Sequence, residues 1–452
     1  MTSSRQRLLL AAVMSGLLLA MLDQTIVGTA LPTIVGDLGG TSLYVWVVTA
    51  YLVPATVTLP IYARLSDRHG RRALLLFGMV LFLVGSALSA LSQNMGELIA
   101  FRALQGTGAG ALEGLSFILV TDLFQGRRSA AFQAAMAGLM AVSFILGPLI
   151  GGFLTDHVDW RACFAVNLPI GLVALVVVAR VLPAEIGRHE RNTPLDLAGI
   201  ATLTVAVGLL LVGLQHRDIA PVAAGLAGLA AFVAIERRAT APVVPLRLLT
   251  DRRVGRIMLS GATATFGLYA GVLLLPRYFQ TVRDVSATHS GLLIYPLLLG
   301  LLLAVNAGAQ VIVRAGAVRR VLLAGYGLAA LGALGFATFD ASTPDWQSLL
   351  FMALLGLGIG PALSGTQIAL TRTVTPRDMG AAMGTLLLSR QIGGAIALAS
   401  AETVYRDSLH RGAAVATGTG VLVVALAGAA IAALALISIP RVENLAPAPT
   451  SS

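Results

Sequence analysis

The chain is predicted to be an all-helical polytopic membrane protein, and three observations carry that prediction. Mean hydropathy is +0.86. Only 12% of the residues are charged, about half the share usual in soluble domains, ~25%. Apolar runs of ~20 residues, the length needed to cross ~30 Å of hydrocarbon as a helix, recur along the whole chain. Backbone amides find no water partner in lipid, so each such run must be a helix. Nucleic-acid binding does not follow from the net charge of +10, because the basic residues are all Arg, without one Lys, as GC-rich coding produces.

The runs fall at 8–29, 44–62, 73–92, 97–119, 131–153, 163–181, 196–213, 220–236, 257–275, 290–311, 321–338, 347–369, 380–401 and 418–438, fourteen in all. The first runs on into Asp23 and shows no cleavage site, so it reads as a retained helix and not a signal peptide. With the N-terminus inside, arginines concentrate in the loops of one face: Arg64, Arg68, Arg71 and Arg72, then Arg127 and Arg128, the stretch from Arg237 to Arg256, and Arg314, Arg319 and Arg320. That asymmetry satisfies the positive-inside rule. Losing both of the closely spaced runs at 196–213 and 220–236 keeps it, whereas losing one inverts every later loop. The expected layout is a six-helix half over 1–182, a linker with two extra helices over 183–255, and a second six-helix half over 256–452, with both termini cytoplasmic.

Several chemistries are excluded. Without Lys there is no phosphate-cradling GxxxxGK[ST] loop and no Schiff-base lysine. The six histidines are scattered, so a metal site is not expected, nor any cofactor. Cys163 has no disulfide partner and reads as a small packing residue. Work across the membrane would then draw on an ion gradient.

Along the chain, the first polar constellation is Leu22-Asp23-Gln24-Thr25. A charge at mid-bilayer costs at least ~2.5 kcal/mol, so it needs a partner or a purpose. Asp23 and Arg102 each lie about six residues from the outer end of antiparallel helices, hence at similar depth. A carboxylate balanced between desolvation, which favours its neutral form, and a nearby arginine, which favours its charged form, can load and release a proton. A static structural pair is the alternative. Glu113, eleven residues beyond Arg102, is either a second proton site, an attractor of cations, or a hydrogen-bond partner of a neighbouring helix. Gln24, Gln105, Arg390 and Gln391 are candidates to line a cavity, and Glu402 is expected at the interface.

Between the second and third helices, Ala63-Arg64-Leu65-Ser66-Asp67-Arg68-His69-Gly70-Arg71-Arg72 forms a charged tight loop, suited to a gate on one face of the bilayer. The fifth helix carries Gly147-Pro148-Leu149-Ile150-Gly151-Gly152, which predicts a kinked, closely packed segment. Phe101–Gly108 has a counterpart in Leu354–Pro361, Arg127–Ala131 in Arg377–Ala382, and Arg314–Arg320 is a degraded copy of the Asp67 loop. Such internal echoes fit two related halves around a central site.

With these motifs in order, the chain resembles the major facilitator superfamily, and within it the fourteen-helix drug:proton antiporters. Leu65–Arg72 is similar to motif A, Leu22–Pro32 to the first-helix signature of that branch, Arg102–Gly106 to motif B, and Gly147–Gly152 to motif C, the antiporter signature. Trp160–Gly171 and Pro194–Gly199 add to the likeness. The resemblance implies that Asp67, Arg68, Gly70, Arg71 and Arg72, with Asp122 as partner, lock the cytoplasmic side; that Asp23 and Arg102 take part in proton coupling; and that Gly147, Pro148, Gly151 and Gly152 form the antiporter helix. Ala63 and Ser143 replace the glycines that open motifs A and C, which predicts looser packing there. The expected function is export of amphipathic, cationic drugs or antibiotics in exchange for protons, by alternating access in the cytoplasmic membrane, with no nucleotide and no nucleic acid involved. The alternatives are a dedicated exporter of one endogenous metabolite and, remotely, a non-transporting receptor or membrane enzyme.

Overall fold

The computed structural model describes residues 3–123, 127–183, 196–216, 218–239, 246–375 and 379–437. All regular structure among them is helical. In chain order the helices are α1 (Ser3–Leu38), α2 (Tyr44–His69), α3 (Arg71–Leu91), α4 (Met95–Leu123), α5 (Arg127–His157), α6 (Ala162–Ala165) and α7 (Asn167–Val181). There follow α8 (Leu197–His216), α9 (Ile219–Glu236), α10 (Leu246–Thr250), α11 (Arg252–Ala264), α12 (Phe266–Thr281) and α13 (Ala287–Leu293). The last are α14 (Tyr295–Ala315), α15 (Val318–Gly335), α16 (Asp345–Thr373), α17 (Met379–Ser408) and α18 (Ala413–Ile437). Among the described residues, eleven helical stretches are long and apolar enough to cross a membrane, and two shorter apolar ones run over Val142–His157 and Ala198–Leu214. Phe77, Leu172 and Leu303 are among the large apolar side chains left exposed on these helices, as a lipid-facing surface requires.

Three predicted spans are interrupted where the sequence reads as continuous. The 163–181 run breaks at Val166 into α6 and α7, and the 290–311 run breaks at Ile294 into α13 and α14. Pro169 and Pro296 follow these breaks, and each lacks the amide that would continue the preceding helix. The 257–275 run breaks at Thr265, whose hydroxyl donates to the Ala262 carbonyl at 2.9 Å and competes with the ladder. By contrast α5 runs through Pro148 as one helix.

The chain divides into two compact units. Unit 1 comprises Met1–Thr204, Ala239–Val243 and Ser286–Leu292. Unit 2 comprises Val205–Arg238, Val244–Val285 and Leu293–Ser452.

In unit 1, α4 lies between α2 and α3, and glycines set the distance. A Cβ at Gly110 would meet the Ala55 carbonyl on α2 at 2.5 Å, and one at Gly106 would strike the Tyr51 backbone on the same helix. Gly108, on the opposite face, meets the Gly78 carbonyl of α3 at 2.5 Å. Unit 2 repeats the device. On α16, Gly356 and Gly360 face the backbone of α14 and Gly358 that of α15. The structural register of the internal repeat therefore pairs Gly106, Gly108 and Gly110 with Gly356, Gly358 and Gly360, three residues off the pairing of Phe101 with Leu354 that the sequence suggests. Backbone approach, and not side-chain likeness, decides the register. The counterpart loops near Arg127 and Arg377 involve side chains outside the described residues.

Also in unit 2, α8 and α9 pack against one another, with Gly225 against Leu210 and Ala206. The Thr403 hydroxyl on α17 donates to the Leu214 carbonyl at 2.9 Å.

Candidate functional site

The densest buried polar cluster of unit 1 surrounds Asp23. Its Oδ2 receives Nη1 of Arg102, and its Oδ1 accepts from Gln105 Nε2 at 2.8 Å and Asn167 Nδ2 at 3.0 Å. Asp23 and Arg102 are 0% and 1% exposed, so the charges are paired away from lipid and water alike. The geometry follows from helix periodicity: Arg102 and Gln105 are three apart on α4 and share one face, and Arg102 Nη1 also donates to Gln105 Oε1 at 2.8 Å. Arg102 Nε donates to the Val47 carbonyl at 3.3 Å, and the guanidinium lies over the Tyr51 ring, 4.2 Å from its centroid. Tyr51 is held in turn by donating to the Ala20 carbonyl at 2.8 Å. Both oxygens of the carboxylate thus have charged or amide donors, the arrangement that lets a charge persist in a low dielectric.

Asn167 escapes the sequence reading. It opens α7, is fully buried, and bridges Asp23 to the Ser86 hydroxyl at 3.0 Å. An uncharged amide in a run of apolar residues gives no depth signal of its own; only the break at Val166 turns it inward. Replacing it by Leu removes one of the three donors to Asp23. A net hydrogen bond to a charged group is worth ~1.5–3 kcal/mol. We expect Asn167→Leu to lower the melting temperature and slow transport, while Asn167→Asp, which sets like charges together, abolishes transport; vesicle uptake and scanning fluorimetry on the two variants check both.

One residue beyond Asp23, Gln24 Nε2 donates to Glu113 Oε1 at 2.9 Å. Glu113 is 4% exposed. Of the three readings open to it in the sequence, the hydrogen bond to a neighbouring helix is therefore present. The sequence candidates Asp23, Gln24, Arg102, Gln105 and Glu113 all lie at the junction of α1 and α4.

Gly70, between α2 and α3, has φ +91°, and its amide donates to the Ser66 carbonyl at 2.9 Å. An L side chain is strained at that φ, so Gly is what the turn requires. Arg71 is buried and donates to the Ser66 hydroxyl, and Arg72 donates to the Ala179 carbonyl on α7. The side chains of Asp67, Arg68 and Asp122 lie outside the described residues.

The antiporter-type motif on α5 packs at both ends. A Cβ at Gly151 would meet the Ile26 carbonyl of α1 at 2.5 Å, and Gly147 adjoins Thr25. The Thr25 hydroxyl donates to the Ser143 carbonyl at 3.1 Å. Ser143 turns its own hydroxyl to Leu139 at 2.9 Å and is 1% exposed, so α1 and α5 are close there despite the missing glycine. Further along, a Cβ at Gly152 would meet Thr288 Cα at 2.5 Å, and one at Gly291 would meet the Pro148 carbonyl at 2.5 Å. Asp156 ties the two segments: its carboxylate accepts the amides of Ala287 at 3.0 Å and Thr288 at 2.7 Å, at the start of α13. Asp156→Ala is expected to weaken this contact by ~1 kcal/mol, read as faster amide exchange of residues 286–292.

In unit 2, Arg390 Nη2 donates to the Leu363 carbonyl at 2.5 Å and the Thr366 hydroxyl at 2.7 Å, and Tyr269 donates to Gln391 Oε1 at 2.9 Å. Glu402 is not interfacial. It is 1% exposed and accepts from Arg277 at 3.1 Å and Arg406 at 2.8 Å. The two arginines lie beyond the ends of the predicted runs 257–275 and 380–401, yet they sit on α12 and α17, and their charges hold the acid inside the bundle.

A bundle of long apolar helices with small-residue contacts and a buried ion pair is the build of a polytopic membrane protein. Residues 13–398 match the model of the Major Facilitator Superfamily, and the chain belongs to that superfamily, a family of transporters and not of enzymes. The chain is 33% identical over 402 residues to a Bacillus subtilis protein named multidrug transporter protein MdtP, covering 86% of this chain and 74% of that protein. It is 30% identical over 427 residues to a Gibberella moniliformis protein named efflux pump FUS6, covering 91% and 76%. The crystal structure of a D-xylose-proton symporter shares the fold, with a TM-score of 0.69 at 16% identity over 96% of this chain and 98% of that one.

Proposed function

We propose that this chain is a proton-coupled antiporter that exports amphipathic compounds across the cytoplasmic membrane by alternating access, with both termini in the cytoplasm. One observation carries the coupling: Asp23, a titratable group sealed inside unit 1, is held by Arg102. Export is supported by the relatives at about this level of identity that are named multidrug transporter and efflux pump.

Loading a proton on Asp23 removes the charge that Arg102, Gln105 and Asn167 hold, and so loosens α1 from α4 and α7. Glu113, tied through Gln24, is the second acid within reach of the same junction. Gly70, Arg71 and Arg72, with Asp67, Arg68 and Asp122, form the cytoplasmic gate, and the contact of α5 with residues 286–292 is the lock on the outer side.

Fourteen spans in two six-helix halves (1–182 and 256–452), with two inserted helices between them, suit this reading. In this layout the two shorter apolar helices and α4 would span the membrane beside the eleven long apolar stretches.

The test is uptake of fluorescent amphipathic probes, anionic, neutral and cationic, into inside-out vesicles with an acidic lumen. Uptake that collapses when the pH gradient is dissipated is the expected result. Uptake indifferent to the gradient contradicts proton coupling.

A further inference from the structure

Arg102, Arg277 and Arg390 all lie within long apolar helices, yet they are not equivalent. Arg102 has Asp23 and Arg277 has Glu402, each a carboxylate in direct contact. Arg390, the twelfth residue of the thirty in α17, pairs with no carboxylate among the described residues. Its acceptors are both neutral and both on α16, the Leu363 carbonyl and the Thr366 hydroxyl, and both are met by Nη2. Nε is buried and has no partner.

A guanidinium carries five N–H donors in a planar fork suited to a carboxylate or phosphate. Here three of its donor positions, on Nε and Nη1, are left without an acceptor. A charge held within a bundle without a counter-ion is costly, and such residues mark ligand paths. The nearest groups around it are uncharged. Gly261 on α11 lies beside Nε, where a Cβ would be 3.7 Å away, and Thr366 is on the other side. Tyr326, bonded to Ser260 at 2.6 Å, and Tyr269, bonded to Gln391, complete the surroundings. Glu402 is twelve residues further along α17, ~18 Å at the helical rise, and is taken up by Arg277 and Arg406. Arg390 itself is half-buried; Nε is closed off, and Nη1 is the donor left for a ligand.

We propose that Arg390 receives the acidic group of the cargo, and that the exported compound is an amphipathic acid. This rests on the export reading above and narrows its substrate class, away from the cation expected from Asp23 and Glu113. Leu386 closes the side of Gly261 and Nε, so the acid would be met by Nη1, which has no acceptor among the described residues. Thr366 fixes the guanidinium from behind, and the half-buried ring of Tyr269 offers an apolar face to the body of the compound.

The test uses inside-out vesicles with an acidic lumen and three probes: dansylglycine, an acid; dansylglycinamide, its neutral twin; and ethidium, a lipophilic cation. A free acid partitions away from an acidic lumen unaided, so its accumulation over protein-free vesicles reports the transporter. The wild type is expected to favour dansylglycine over the amide by about tenfold, the size of one charge-assisted contact. Arg390→Gln is expected to erase that preference, and Arg390→Lys to keep part of it. A wild type with no preference for the acid overturns the proposal, whether or not the variants fold. So does an Arg390→Gln protein that keeps the preference. Gradient-driven uptake of ethidium alone overturns the acid while leaving export intact. Gradient-driven uptake of none of the three overturns export itself and this proposal with it.

Discussion

Asp23→Asn is expected to abolish gradient-driven uptake in vesicles and to lower the melting temperature at the same time. The two effects have different origins. Asn cannot load and release a proton, so the coupling step is lost. It also leaves the Arg102 guanidinium, 1% exposed, without its carboxylate. Removing one partner of a buried pair costs ~3–5 kcal/mol, mostly the burden of the charge left behind. The double variant Asp23→Asn, Arg102→Gln separates the effects. It removes both charges, so it is expected to regain much of the lost melting temperature and none of the transport. If instead the double variant regained transport along with stability, the pair would be a strut and the coupling role would pass to Glu113. Asp23→Glu is the complementary control. It keeps the charge but lengthens the arm by one methylene against the Gln105 and Asn167 amides, at 2.8 Å and 3.0 Å. Slow but measurable gradient-driven uptake is the expected result for it.

Gly106→Val is expected to have the second largest effect. The added Cβ would meet the Tyr51 carbonyl carbon and Cα at 2.9 Å each and its oxygen closer still. These are backbone atoms in the middle of α2, so no side chain can turn away to make room. Overpacking of this kind typically costs ~1–3 kcal/mol, at the upper end where backbone must move. The consequence is not confined to stability. Tyr51 carries the Arg102 guanidinium on its ring, so pushing α2 from α4 displaces the ion pair as well. Both the melting temperature and uptake should fall. Gly327→Val, where a Cβ meets nothing within 4 Å, is the matched control and should leave both near wild type. Equal behaviour of the two variants would show that close approach of α2 and α4 is not what Gly106 provides.

How far the site is legible in the sequence varies from residue to residue. Asp23 and Arg102 can be placed at one depth by counting from the ends of their runs, because charges in apolar helices are rare and helix rise is constant. Asn167 cannot, because nothing in an amide flags it, and its inward turn depends on a helix break that Pro169 imposes. Arg277 and Glu402 mislead for a different reason. Both sit near the ends of their runs, where a charge in sequence is equally consistent with a loop, a headgroup contact or a buried pair. Only packing of α12 on α17 decides. The glycine register fails in the same manner: Phe101–Gly108 and Leu354–Pro361 look alike by side chain, yet the helices align by the residues that have none.

Those glycine contacts have a mechanical consequence. Where backbone touches backbone at Gly106, Gly108 and Gly110, and again at Gly356, Gly358 and Gly360, neighbouring helices cannot slide or roll without a collision of main-chain atoms. Each triplet, α2–α4–α3 in one unit and α14–α16–α15 in the other, behaves as a welded beam. Deformation is left to the helices laid against the beams by side chains and removable charges, α1 and α5 in the first unit and α11 and α17 in the second. Asp23 with Arg102 spans such a seam between a beam and a movable helix, and so does Arg390 with Thr366. A proton at the first seam, as proposed, or an acid at the second, would act where side chains and not main chains hold the helices.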